Sequence, residues 1–398
     1  MQLTPFLLDR WLEQKLTVAT PVEFDLGSST GPHWTLRELL KLAGENSIES
    51  LLDTRLVYTT AAGTDELRGA IAGLQGVDPS HVQVVTGSAE ALWLLFFDAA
   101  EAGANVVLPN PGFPTNRALA ETFGIEIREY TLRAENAFRM DPDEIRRLVD
   151  GHTRFVLVNS PHNPTGAVLS GTEMESLHDF CAQRGVQFVS DEVYHPIYHD
   201  TNGGEEMRSA ARLPHATVLG DFSKALCLSG LRVGWMIERD PKRRARYLNA
   251  RSYFTVSNTV LGERLAVLAL QHREAIYGRA RAIAQANLKL LDQFFDEFRT
   301  ILKWVRPSGG MTAFPWLTPA MLADGGDARE FCQRVLSHGV MLAPGDCFGM
   351  PSHFRLGFAA SGESFPRGIA RLAEILRHGT LRARATGGGA AIVSAQGG

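Results

Sequence analysis

The pattern of apolar and polar positions changes character along the chain. From about residue 80, short apolar runs alternate with amphipathic ones. "HVQVVT" (81–86), "ANVVLP" (104–109), "IEIREY" (125–130), "RFVLVN" (154–159), "VQFVS" (186–190), "ATVLG" (216–220) and "RVGWMI" (232–237) read as strands. A run as continuously apolar as "RFVLVN" suits a strand covered on both faces. Between them, "SAEALWLLFFDAA" (88–100), "TNRALAETF" (115–123), "DPDEIRRLV" (141–149) and "GTEMESLHDFCAQRG" (171–185) read as helices. The acidic first turn of the third suits the positive end of a helix dipole, and Gly185 closes the fourth. Short strands alternating with helices predict an α/β fold: an open, mainly parallel sheet flanked by helices.

After residue 240 the pattern turns helical. One tract, 258–302, is long enough for two helices, with a break predicted near Tyr277–Gly278. The strand-like pieces "MTAFPWL" and "HFRLGF", with helices at about 327–338 and 364–377, predict a second, smaller α+β domain. The opening "MQLTPFLLDRWLEQKL" places apolar residues at helical spacing with charges between them, unlike the uncharged core of a secretion signal. The low-complexity tail "RATGGGAAIVSAQGG" is expected to be disordered.

The chain has 398 residues, 44% of them hydrophobic, and a net charge of −4. That balance calls for neither nucleic acid nor an anionic membrane. No stretch approaches the ~18 apolar residues of a membrane span. Cys181, Cys227, Cys332 and Cys347 are scattered without a C-x-x-C pair, as expected of reduced thiols rather than disulfides or a zinc site. The expectation is a cytoplasmic enzyme.

In sheets of this kind ligands bind beyond the carboxyl ends of the strands. The first strand is followed by Gly87-Ser88-Ala89, which opens a helix. Free N–H groups there suit a phosphate, although small residues also serve as ordinary caps. "PGFP" presents Phe113, able to stack on a flat ring or to pack under its loop. "SPHNPTG" offers Asn163, as a free amide or as an Asn-Pro turn. "SDEVY" puts Asp191 at the end of a buried strand, where a carboxylate needs a cation or an N–H, with Tyr194 soon after. "DFSKALCLSGLR" supplies Lys224, one of only six lysines. Together these strand ends call for a ligand with a phosphate, a flat ring bearing an oxygen and a protonatable nitrogen, and a carbon that a lysine can attack. Pyridoxal phosphate meets each demand. His195 and His199 are spaced like a metal pair, but no third ligand is evident, and surface or supporting roles suit them better.

The motifs "SPHNPTG", "SDEVY", "SKALCLSGLRVGW" and "FRLGFA" resemble, in order and spacing, those of the aminotransferase class I/II family of fold-type I pyridoxal-phosphate enzymes. The similarity runs from about Tyr58 to about Leu376. It implies an N-terminal arm with part of the small domain (1–40), a large cofactor-binding domain (41–275), a small C-terminal domain (276–380) and a tail (381–398). By resemblance, Lys224 forms a Schiff base with pyridoxal phosphate and Asp191 pairs with the ring nitrogen. Asn163 and Tyr194 bond the ring oxygen, and Phe113 stacks on the ring. Gly87, Ser88, Ala89, Ser223 and Arg232 hold the phosphate. Arg355 grips the substrate's α-carboxylate, with Asn163 beside it. Tyr58 either reaches the phosphate of a partner subunit in a homodimer or is a surface aromatic in a turn. His33 and Trp34 lie where the family carries a glycine-containing loop, near the substrate. The implied reaction moves an amino group between an amino acid and a 2-keto acid. "SSTGPHWTLREL" and "GGMTAFP" are also similar to capreomycidine synthase, which keeps elimination and cyclisation of a modified, guanidino amino acid as the alternative. A C–S lyase is a further possibility. A non-catalytic, cofactor-bound regulatory module fits less well, since no basic helix is present.

Overall fold

The computed structural model describes residues 3–44, 46–199, 208–319, 321–322, 327–360 and 363–378. The expected tail, 381–398, lies outside the described residues.

Seven strands form the central sheet: β1 (Val82–Val85), β2 (Asn105–Asn110), β3 (Glu126–Thr131), β4 (Thr153–Asn159), β5 (Gln187–Asp191), β6 (Ala216–Asp221) and β7 (Gly234–Ile237). Their order is β1-β7-β6-β5-β4-β2-β3. Pairings from β6 through β3 are parallel, and β7 runs antiparallel to both β6 and β1. Successive side chains point to opposite faces: Phe155 and Leu157 enter one apolar core, Val156 and Val158 the other. Helices therefore cover both faces, and near-continuous apolar strands follow from that double burial. Helix Ser88–Ala99 packs into the first core through Leu92, Leu95 and Phe96. Gly171–Arg184 packs into the second through Met174, Leu177 and Cys181.

Because β7 is reversed, it starts at the carboxyl edge of the sheet, where β6 ends. Its first residue, Gly234, pairs with both Asp221, the last of β6, and Val85, the last of β1. A Cβ on Gly234 would come within 2.9 Å of Gly87 Cα, so only glycine allows the two turns to meet. Arg232 stands just before β7 with φ +50°, outside the strand that the sequence predicts from 232.

The helical tract divides at His272, into Val260–Gln271 and Arg273–Glu297, and not at Tyr277–Gly278. Gly278 costs a helix interior about 1 kcal/mol, and burial of the adjacent Ile276 and Tyr277 outweighs it. "MTAFPWL" is two short strands, Thr312–Ala313 and Trp316–Leu317, on different partners. Pro315, between them, has no N–H for a ladder. Thr312–Ala313, Phe354–Gly357 and Ala343–Pro344 form a small antiparallel sheet. The N-terminal helix α1 (Leu7–Glu13) packs on Ala343–Pro344, and Trp11 Nε1 donates to Leu342 O at 2.6 Å. No described helix is long and apolar enough to cross a membrane.

Candidate active site

The carboxyl edge of the sheet gathers most of the residues singled out in the sequence. Gly87 precedes the helix Ser88–Ala99, and the first N–H groups of a helix have no intrahelical acceptor. Gly87 has φ +76°, and a Cβ there would stand 2.7 Å from Arg232 Nη2. Arg232 Nη1 donates to Ser223 Oγ at 3.4 Å and to Ser229 O at 3.2 Å. Ser88, Ser223 and Arg232 thus join a helix N-terminus to a guanidinium. Such a combination suits a phosphate.

Asp221 organises this corner. Its Oδ2 accepts from Ser88 Oγ at 3.2 Å, and its Oδ1 accepts from the N–H groups of Ser223 (2.8 Å) and Lys224 (3.3 Å). The turn that carries Lys224 is fixed by that carboxylate. Lys224 Nζ donates to Ser29 Oγ at 2.9 Å, and Tyr194 OH donates to Ser29 O at 3.4 Å. Burial, helped by Arg355 and Arg232 against the opposing pull of Asp221 and Asp191, brings the Lys224 amine down to about 8. Burial raises the Tyr194 hydroxyl to about 12.

Asp191 ends β5 and is buried. Its backbone carbonyl accepts from Ser160 N–H (3.0 Å) and Asn159 Nδ2 (2.9 Å). Its carboxylate accepts one N–H, from Val193 at 3.3 Å. Burial, with Asp221 and Glu192 nearby, raises its carboxyl to about 7. Asn159 Oδ1 accepts the Asn163 N–H at 2.7 Å and so sets the start of the next turn. The Asn163 side-chain oxygen accepts from Arg355 Nη1 at 3.2 Å. Arg355 also donates to Gly27 O at 2.8 Å and lies 4.9 Å over the Phe348 ring, while its buried Nε has no partner. Burial lowers the Arg355 guanidinium from its ordinary value.

Phe113 caps the helix Pro114–Phe123 beyond β2 and meets Phe6 edge-on at 6.1 Å. Tyr58 is 85% exposed, apart from these groups, and shares a shallow depression with Leu56, Val57 and Leu261. His33 is exposed. Trp34 is partly buried, with Arg279 4.5 Å over its ring. His195 bonds Tyr198 OH at 2.7 Å and His199 bonds Gly310 O at 2.7 Å.

The sequence reading passed over Ser29, Asn159 and Asp221. Asn159 and Asp221 are the last residues of β4 and β6, and a polar residue closing an apolar strand was the available signal. Ser29 lies in "GSSTGPHW", where His33 and Trp34 are the more conspicuous residues.

Three observations fit pyridoxal phosphate. The Arg232 guanidinium stands against Gly87 at a helix N-terminus, which brings together the donors that a phosphate takes. Asp191 is a buried acid with one N–H donor and is open to another. The Lys224 amine titrates low enough to act as a nucleophile near neutral pH.

Residues 23–372 match the family described as aminotransferase class I and II. The chain is 32% identical to capreomycidine synthase of Streptomyces vinaceus, over 96% of each chain. It is 29% identical to the arginine–pyruvate transaminase AruH of Pseudomonas aeruginosa, over 82% of this chain and 84% of that one. A crystal structure of a PLP-dependent aminotransferase from Streptococcus suis superposes with a TM-score of 0.85 at 27% identity, covering 95% of this chain and 99% of the other. With its strand-end chemistry, its mainly parallel sheet and this match over most of its length, the chain belongs to the class I and II aminotransferases, transferases that work through pyridoxal phosphate.

Proposed function

We propose that the chain moves an amino group from an amino acid to a 2-keto acid, with Lys224 as cofactor anchor and as base at the substrate's Cα. When bound, pyridoxal phosphate supplies a carbon that amines attack and a ring that draws electrons from Cα. Gly87, Ser88, Ala89, Ser223 and Arg232 bind its phosphate. Asp191 holds a proton on the ring nitrogen, Asn163 and Tyr194 bond the ring oxygen, and Phe113 covers a ring face. Arg355 takes the α-carboxylate in its planar fork, with Asn163 alongside. Lys224, with its amine free, would take the proton from Cα; an amine near 8 is suited to that at neutral pH.

The observation that carries this reading is that buried Lys224 and Tyr194 both bond Ser29, while buried Arg355 bonds Asn163 beyond the same sheet edge. The exposed apolar run Leu56–Val57–Tyr58 supports a homodimer in which Tyr58 reaches the partner's phosphate site. Four unpaired cysteines suit the cytoplasm.

Spectrophotometry tests the proposal. An amino acid alone is expected to bleach the cofactor's visible band and a 2-keto acid to restore it, with neither change in Lys224→Ala. The likeness to capreomycidine synthase favours a second reading, elimination followed by cyclisation. A cyclic product formed without any 2-keto acid would establish that reading and overturn transamination.

A further inference from the structure

Arg251 ends the helix Pro241–Arg251 and is fully buried. A guanidinium out of water needs an acid and further acceptors. Its Nε donates to Glu90 Oε1 at 2.9 Å and to Thr255 Oγ1 at 3.2 Å, its Nη1 to Ala61 O and its Nη2 to Asn258 Oδ1. Two of these acceptors border the proposed phosphate corner. Glu90 stands in the first turn of the helix Ser88–Ala99, and its Oε2 accepts the N–H of Thr86, next to Gly87. The Asn258 amide donates to Val85 O at 3.0 Å and to Arg232 O at 3.5 Å. Ala61 follows Tyr58 in the same loop.

The charge of Glu90 is out of keeping with its place. A helix N-terminus that receives a phosphate is a poor setting for a carboxylate, because the two anions repel. Glu90 is buried, so water screens that repulsion little. Among the described residues, Arg251 is the one cation paired with it. The other acids nearby are engaged elsewhere. Asp221 accepts from Ser88 Oγ and from the N–H groups of Ser223 and Lys224, and buried Glu263 accepts from Thr59 Oγ1 and the Thr64 N–H. The backbone gives a second, independent sign. Arg232 has φ +50° and Val256 φ +62°, in the left-handed region that residues with a Cβ disfavour. Such conformations persist where the surroundings over-determine them. The bond from Arg251 to Asn258 closes the turn that contains Val256, and Asn258 holds the Arg232 carbonyl.

Resting on the phosphate assignment of the aminotransferase reading, we infer that Arg251 is a positioning residue for the cofactor, cancelling the charge of Glu90 in the phosphate-binding helix and holding Arg232 through Asn258. It acts through these two residues and not by contact with the phosphate.

The test titrates the cofactor-free chain with pyridoxal phosphate and with pyridoxal, following tryptophan fluorescence. The ratio of the two affinities reports on the phosphate, and a general loss of stability leaves it unchanged. Arg251→Met leaves the Glu90 carboxylate uncompensated, and the ratio is expected to fall about tenfold or more. Glu90→Gln breaks the same ion pair but leaves the guanidinium, so the ratio is expected to rise about threefold or more. Opposite responses from the two halves of one pair separate charge from packing. Arg243→Met is the control: it breaks another ion pair, with buried Glu238 just past the far end of β7, and is expected to keep the ratio within about threefold. A ratio unchanged in Arg251→Met, one that falls or stays level in Glu90→Gln, or one that falls as far in Arg243→Met would overturn the assignment. If Arg251→Met does not fold, Glu90→Gln decides alone. A wild type that prefers pyridoxal phosphate while the variants fail these tests keeps the aminotransferase reading and removes only the role of Arg251. A wild type that binds both compounds equally takes the phosphate out of this corner, and the inference falls with that reading.

Discussion

Asp191 is buried with a single N–H donor, and its carboxyl titrates at about 7 where a free one titrates near ~4. Between those values the folded chain holds a proton that the unfolded chain has released. Stability of the cofactor-free protein from this group is therefore present below the unfolded pKa and lost as pH rises through the folded one. Lys224 runs the other way: its amine is lowered to about 8, so its share of stability is recovered as pH rises above that value. Asp191→Asn removes the first cost. The cofactor-free variant is expected to exceed the cofactor-free wild type by roughly 2–4 kcal/mol above pH 7, with the gap closing toward pH 4. Denaturant melts at both pH values check this, and a gap independent of pH would refute it. Cofactor affinity should fall in the same variant. Lys224 and Asp191 were legible because their residue types are costly in apolar surroundings. Ser29 was not, because a serine in a polar loop is ordinary until the fold brings a lysine from 195 positions away.

At the scale of elements, the site depends on β7 running against its neighbours. A parallel β7 would have carried Arg232 to the opposite edge of the sheet. Instead the reversal sets its guanidinium against Gly87, with no space for a side chain there. Gly87→Ala adds a methyl at 2.7 Å from Arg232 Nη2, in a backbone conformation that disfavours it. The expected result is a stability loss of about 1–2 kcal/mol and at least a tenfold loss of affinity for pyridoxal phosphate. Affinity for pyridoxal, which lacks the phosphate, is expected to change little. Parallel titrations of the two compounds make the comparison, and equal losses would move the phosphate elsewhere. The strands of this sheet were legible within two residues; burial on both faces marks most of them as apolar runs, while β3, at the sheet's edge, is largely half-buried. The antiparallel sense of β7 was not, since a buried strand reads alike in either direction. The division at His272 was hidden for a related reason: the glycine at 278 is a local signal, and tertiary packing of Ile276 and Tyr277 overrides it.

Over the whole molecule, the apolar side chains left outside the core are unevenly spread. Leu56 and Tyr58 are 76% and 85% exposed beside Leu261, and Tyr253 is 84% exposed. The second copy of the chain proposed above would cover Leu56, Tyr58 and Leu261. Leu56→Asp with Val57→Asp is expected to shift the sedimenting species from two chains to one and to weaken cofactor retention. A wild type that sediments as one chain would exclude the dimer. Such a surface is hard to read from sequence, because exposed and buried leucines look the same until the core is known. The bonds from Ser29 to Lys224 and from Gly27 to Arg355 span 195 and 328 positions. They impose an order in time. On the ribosome, the proposed phosphate corner has all its residues once Arg232 has emerged, but Arg355, proposed to bind the α-carboxylate, comes out more than a hundred residues later. Until then the nascent chain has the parts to hold its cofactor but not those to grip a substrate. Under the proposed roles, reactive chemistry thereby waits until Arg355 has joined Gly27.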